Sequence, residues 1–195
     1  MNVAERTLAN APAEATRWLE SFSEALRDND ADAAAAMFID AGLWRDILAF
    51  TWTIETMSGR AAIATRLSET VAATQAVNFA IPPQRTPPRW VTRAGTQCIE
   101  ALFAFETALG RGDGVLRLVP DPQAPGTLRA WTLITALEEL KGHEEAFRRR
   151  TPDDEAGLRD YGGPNWLDRR RQAAQYDDND PAVLVVGAGQ AGLSI

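Results

Sequence analysis

The chain has 195 residues, 45% of them hydrophobic and 24% charged, which is the balance of a globular protein with material for a core. Its 20 basic residues against 27 acidic ones leave a net charge of -7, which argues against non-specific nucleic-acid binding. A single cysteine excludes an internal disulfide, and with a single histidine it excludes a soft metal site, so no metal is expected.

The first residues, Met1 to Thr7, lack the basic start and apolar stretch of a secretory signal. No apolar run approaches the roughly 18 residues of a membrane-spanning helix. The expectation is a soluble cytoplasmic protein that engages neither membrane nor nucleic acid.

Ala15, Trp18, Leu19, Phe22 and Leu26 recur at the spacing of one helical face, with Asn10 and Pro12 marking the start. Asp30 or Asp32 is placed to cap a second, alanine-rich helix reaching Met37 and Phe38, and Ser58-Gly59-Arg60 precedes a third with Ile63, Leu67 and Val71 on one side. Between them, Leu48, Phe50, Trp52 and Ile54 alternate with smaller or polar residues, which predicts one strand over Trp44 to Met57. Further strands are predicted over 77–81, 98–107, 115–119 and 128–140, with Gly110 to Gly114 and Pro120 to Gly126 as turns. Helices followed by a run of antiparallel strands predict an α+β domain, with helices packed on one face of a curved sheet.

From Gly142 to Asp180 the composition shifts to seven Arg and ten acidic residues with few apolar ones, which reads as a linker or wrapping arm. Arg169-Arg-Arg171 within it reads as a solvated helix end. Val183 to Val186 then form a short apolar run fit for a strand buried on both faces, followed by Gly187-Ala188-Gly189-Gln190-Ala191-Gly192 as the strand-to-helix turn. In this context Gly187 permits a tight turn, Gly189 lets backbone approach a pyrophosphate, and Gly192 lets a new helix lie close to the strand. The expected domains are 1–141, 142–180 and 181–195, the last an incomplete, truncated Rossmann domain.

The run Asp180-Pro-Ala-Val-Leu-Val-Val-Gly-Ala-Gly-Gln-Ala-Gly-Leu193 resembles the first FAD-binding fingerprint of flavin-containing monooxygenases. Trp44-Arg-Asp46, Thr56-Met-Ser-Gly-Arg60, Trp131 to Leu137 and Lys141-Gly-His-Glu-Glu145 look like the accessory amino-terminal region of a branch of that family, a region similar to the NTF2/SnoaL-like cone. The resemblance implies an enzyme that uses FAD and NADPH to oxygenate a small nucleophilic substrate, with Gly187, Ala188, Gly189, Gln190, Ala191 and Gly192 at the FAD. It also implies that this chain is the amino-terminal part only and binds no cofactor stably by itself.

Two other readings stand beside it. A SnoaL-like dehydratase or isomerase would use Asp46 as a general base, its pKa raised by burial beside Trp44, although a carboxylate there also suits a turn bonded to backbone amides. A dimerisation module would use the sheet face to form a homodimer. His143, among Lys-Gly-His-Glu-Glu, reads as solvated, and a dyad with Asp46 would require the chain to fold back. Cys98 reads as a small buried hydrophobe with nothing basic beside it in sequence, and the tryptophans at 18, 44, 52, 90 and 131 read as core.

Overall fold

The computed structural model describes residues 10–121, 123–124, 126–144, 163, 165–176, 185–187 and 189–190. The chain divides into two units, Met1–Glu145 and Ala146–Ile195.

In the first unit, α1 (Ala11–Arg27) starts at Pro12 in its first turn and buries Trp18, Leu19, Phe22 and Leu26, the face that the periodicity predicts. Asn10 occupies the cap position, but its side chain makes no capping hydrogen bond. Helix α2 (Ala31–Ala36) is capped by Asp30, whose carboxylate accepts from the Ala33 amide at 2.9 Å. It ends before Met37 and Phe38, short of the expected boundary. Phe38 instead opens β1 (Phe38–Ile47) and drives its ring into the core, edge-on to Trp18 and Phe22 at 5.8 and 6.3 Å.

The strand expected from Trp44 to Met57 is broken. After β1 the chain makes a loop over 48–53 before β2 (Ile54–Ser58), and both Ala49 and Phe50 are buried, which departs from the one-face burial that the alternation predicts. Leu48 and Trp52 sit in the left-handed region at φ +65° and +56°, so the alternation of large side chains there comes from a turn. Helix α3 (Arg60–Thr74) follows, burying Ile63, Leu67 and Val71.

Then come β3 (Val77–Ala80), β4 (Arg89–Arg93), β5 (Thr96–Glu106), β6 (Gly110–Pro120) and β7 (Leu128–Leu140). The seven strands form one sheet in the order β2-β1-β7-β6-β5-β3, with β4 also paired to β5. One pair departs from the antiparallel expectation. β1 and β7 run parallel, because the β1–β2 hairpin and α3 carry the chain away before β7 returns beside β1. Strand β4 was not anticipated: only Trp90 and Val91 carry strand character, and the tight Ala94-Gly95 connection to β5 supplies the rest.

Gly110 to Gly114, expected as a turn, is the start of β6. The turn lies one step earlier, at Thr107 to Gly110, closed by the Thr107 amide on the Gly110 carbonyl at 2.8 Å. Glycines at 110, 112 and 114 all point to the inner face, where a side chain would collide. A Cβ on Gly112 would come within 2.5 Å of the Phe105 ring and 2.6 Å of the Ala136 carbonyl oxygen. Gly112 and Gly114 thus make room for the Phe105 and Phe103 rings, and Gly110 makes room for Leu137.

The inner face and the helices share one core. Register places Trp44 beside Leu133, Leu133 beside Leu116 and Leu116 beside Ala101, and all four are buried. The opposite face carries Leu102, Val115 and Ile134 in a neighbouring row, each partly exposed. In the second unit, α4 (Trp166–Ala173) is held by a reciprocal cap between Asn165 and Asp168, and Arg170 stacks over Trp166 at 5.1 Å.

Candidate functional site

Asp46 projects from β1 onto the inner face and is completely enclosed. Its Oδ2 accepts from the amides of Phe50 and Thr51 at 3.0 and 2.8 Å and from the Thr51 hydroxyl at 2.8 Å. Its Oδ1 accepts from the Thr135 hydroxyl at 2.7 Å, and that hydroxyl in turn accepts from the Trp44 indole at 3.0 Å. One carboxylate therefore pins the 48–53 loop to β7. Thr51 and Thr53 complete the loop through their hydroxyls, and the Leu48 amide donates to the Thr53 carbonyl. The loop presents Trp52, 54% exposed, outward, so this tryptophan is not core.

The space beside Asp46 is filled. Phe50 packs edge-on against Trp44 at 5.2 Å and contacts Phe105 at 6.1 Å; Phe79 stacks on Phe105 at 5.2 Å and meets Phe22 edge-on at 5.7 Å. All of these rings are buried. A general base must reach its substrate, whereas Asp46 is fully buried with both carboxylate oxygens taken by donors of the chain. His143 lies beyond β7 and is exposed, so the two are not brought together as a dyad.

The outer sheet face carries a charged cluster that strand alternation hides in the sequence. Glu100 on β5 accepts from Arg93 Nε and Nη2 at 2.8 and 2.6 Å and from Arg117 Nε at 2.9 Å. These two guanidiniums outweigh the cost of burial and hold its carboxyl down at about 2, below the ordinary 4.5. Because the folded value is depressed, the stabilisation is present above pH 4.5 and is lost as pH falls from there toward 2. Glu100→Gln should therefore flatten the acid limb of the stability profile between those values, measured as urea midpoints at stepped pH; an unchanged acid limb would remove this triad from the acid response. Cys98, fully buried, has its thiol pushed up by burial, with Arg117 and Arg93 pulling the other way from neighbouring strands. Basic groups do adjoin it in space, which the sequence neighbours alone did not reveal.

Of the glycine run, Gly187, Gly189 and Gln190 are described; Ala188, Ala191 and Gly192 lie outside the described residues, as do Val183 and Leu184 of the expected strand. Val185 and Val186 belong to no strand, and Val186 is 89% exposed, so the burial expected for this run is absent where it is described. A first strand of a parallel sheet takes its ladder and its cover from neighbouring elements. Gly187 has φ +120°, which favours glycine, and a Cβ added at Gly187 or Gly189 meets nothing within 4 Å among the described residues.

Among the described residues no group of three or more His, Cys, Asp or Glu is placed to hold a metal ion. No described helix is long and apolar enough to cross a membrane.

No protein-family model matches the chain, and no curated protein matches it. Among solved structures it is similar to an NTF2-like protein with a cystatin-like fold from Novosphingobium aromaticivorans, at 16% identity over 69% of this chain and 86% of the other, with a TM-score of 0.47. It is also similar to a cystatin-like domain of unknown function from Nostoc punctiforme, at 11% identity over 90% and 96%, TM-score 0.48. An NTF2-like superfamily protein from Salmonella enterica gives 11% identity over 66% and 92%, TM-score 0.47. None of these three is described as a flavin enzyme. The α+β architecture rests on the strand order and packing above.

Proposed function

We propose that the first unit is an NTF2-like cone without catalytic activity of its own, acting as a self-association module for an FAD- and NADPH-dependent monooxygenase. The observation that carries the non-catalytic reading is the filled cone: the inner face is occupied by Phe50, Phe79, Phe103 and Phe105, and Asp46 spends both oxygens on the chain itself. Self-association is supported by the opposite face, where Leu102, Val115 and Ile134 align across three strands and are each partly exposed. A second copy laid across this face in two-fold fashion would cover the apolar row on both.

The cofactor half of the proposal rests on the glycine run. Gly187 adopts the backbone geometry that favours glycine, and among the described residues nothing stands within 4 Å of a Cβ at Gly187 or Gly189, which is compatible with a close-lying diphosphate. FAD held there would supply the oxygenation chemistry, while Gly187 to Gly192 would position it.

One experiment addresses both halves. The full-length protein is sedimented with detection at protein and flavin wavelengths, as wild type, Val115→Glu and Gly189→Val. The expected result is a yellow dimer for the wild type, a yellow monomer for Val115→Glu and a dimer with at least tenfold less flavin for Gly189→Val. A colourless wild type overturns the flavin reading, and a Val115→Glu protein that stays dimeric overturns the sheet face as the interface.

A second reading, a SnoaL-like dehydratase or isomerase, is favoured by one feature, the buried Asp46–Thr135 pair on the inner face. It requires the 48–53 loop to open and admit substrate. Its signature is turnover of a small carbonyl compound that Asp46→Asn abolishes while the fold is retained.

A further inference from the structure

A cleft of about 500 Å³ lies at the Phe38 end of β1, away from Asp46, and its size is that of a site for a small organic molecule. Two irregularities open it. The β1–β7 register shifts between Phe38 and Leu43, and the β6–β7 register shifts between Arg117 and Leu118, which leaves Trp131 as an extra residue on β7. The cleft takes its apolar wall from Ile39, Val119, Pro120 and Trp131.

The charged groups around it are already matched. Arg60 donates to the Phe38 carbonyl at 2.6 Å and pairs with Asp40 at 2.8 Å, and Asp40 also accepts from Gln123 at 3.2 Å. Asp121 is engaged by the Arg129 guanidinium and by the Gln123 amide, which together hold its carboxyl below the ordinary range. An ionised ligand entering here would find no free counter-charge and would lose its own hydration. An uncharged one loses only the hydration of its polar atoms, which donors in the cleft can replace. Free donors remain: among the described residues neither the Trp131 indole N–H nor the Gln97 side-chain amide has a hydrogen-bond partner, and the Thr96 hydroxyl beside them has none either.

From this arrangement we infer that the cleft is a binding site for an uncharged aromatic molecule bearing an oxygen acceptor, its ring against Trp131 and its oxygen toward Trp131 Nε1 and Gln97. The cleft is lined by residues of the first unit and is separate from that unit's filled interior, and the inference stands whether or not the chain serves a flavin enzyme.

The test is a fluorescence titration of the full chain with prodan, an uncharged naphthyl ketone whose carbonyl oxygen is an acceptor, and with anilinonaphthalene sulfonate, an anionic naphthalene. The uncharged probe is expected to saturate at one site per chain and the anion to bind at least tenfold more weakly. Gln97→Trp, at an exposed position, should fill the cleft and weaken the uncharged probe at least tenfold without shifting the melting temperature. Trp52→Ser removes the largest exposed apolar side chain of the 48–53 loop and should leave the affinity unchanged. Equal affinity for the two probes, no saturable binding, full binding by Gln97→Trp, or loss of binding in Trp52→Ser each overturns the inference.

Discussion

Replacing Asp46 with alanine is expected to destabilise the first unit by about 3 to 5 kcal/mol, because several buried donors lose their acceptor together and each orphaned group costs about 1 to 3 kcal/mol. The amides of Phe50 and Thr51 and the hydroxyls of Thr51 and Thr135 all depend on this carboxylate. The same bonds hold Leu48 and Trp52 in left-handed backbone, a conformation that persists only where its surroundings over-determine it. Asp46→Asn keeps the shape and one acceptor oxygen but turns a donor toward other donors, so it should lose roughly half as much. The measurement is the urea midpoint and slope, read beside tryptophan fluorescence from the loop. A loss below about 1 kcal/mol for the alanine variant would show that the loop is held by its own turn chemistry, and would leave Asp46 free for the second functional reading.

Why Asp46 was ambiguous in the sequence follows from where its partners come from. Phe50 and Thr51 are near neighbours, but Thr135 lies 89 residues away and Trp44 reaches Asp46 only through it. The helix faces were legible because a 3.6-residue period is local, and α1 and α3 bury the side chains that the spacing selects. The 48–53 segment misled for the opposite reason. Its large side chains alternate like a strand's, yet a carboxylate fixed by tertiary structure folds the backbone into a turn. Arg93, Glu100 and Arg117 converge only once three strands are in register, and Trp131 lines a cleft only because β7 bulges there.

The glycines of β6 give the other large effect. Gly110 to Gly114 reads as a turn by composition, since nothing local distinguishes glycine needed for backbone freedom from glycine needed for space. Here space is the cause at 112 and 114. A methyl at Gly114 would overlap the Phe103 ring and crowd the Ile134 carbonyl oxygen at 2.5 Å, and one at Gly112 would meet Phe105 and the Ala136 carbonyl. Neither neighbour is free to yield, because Phe103 and Phe105 lie in a packed stack with Phe79 and the carbonyls belong to paired β7. Gly112→Ala and Gly114→Ala are each expected to cost about 3 kcal/mol or more, at the upper end of overpacking substitutions. The rescue follows from the same geometry. Phe103→Leu shortens the side chain that Gly114→Ala would strike, so the double variant should recover part of the loss, and the coupling between the two should be at least about 1 kcal/mol. Additive losses would mean that Gly114 is required for the backbone of β6, and that the aromatic ring only occupies a gap left for another reason.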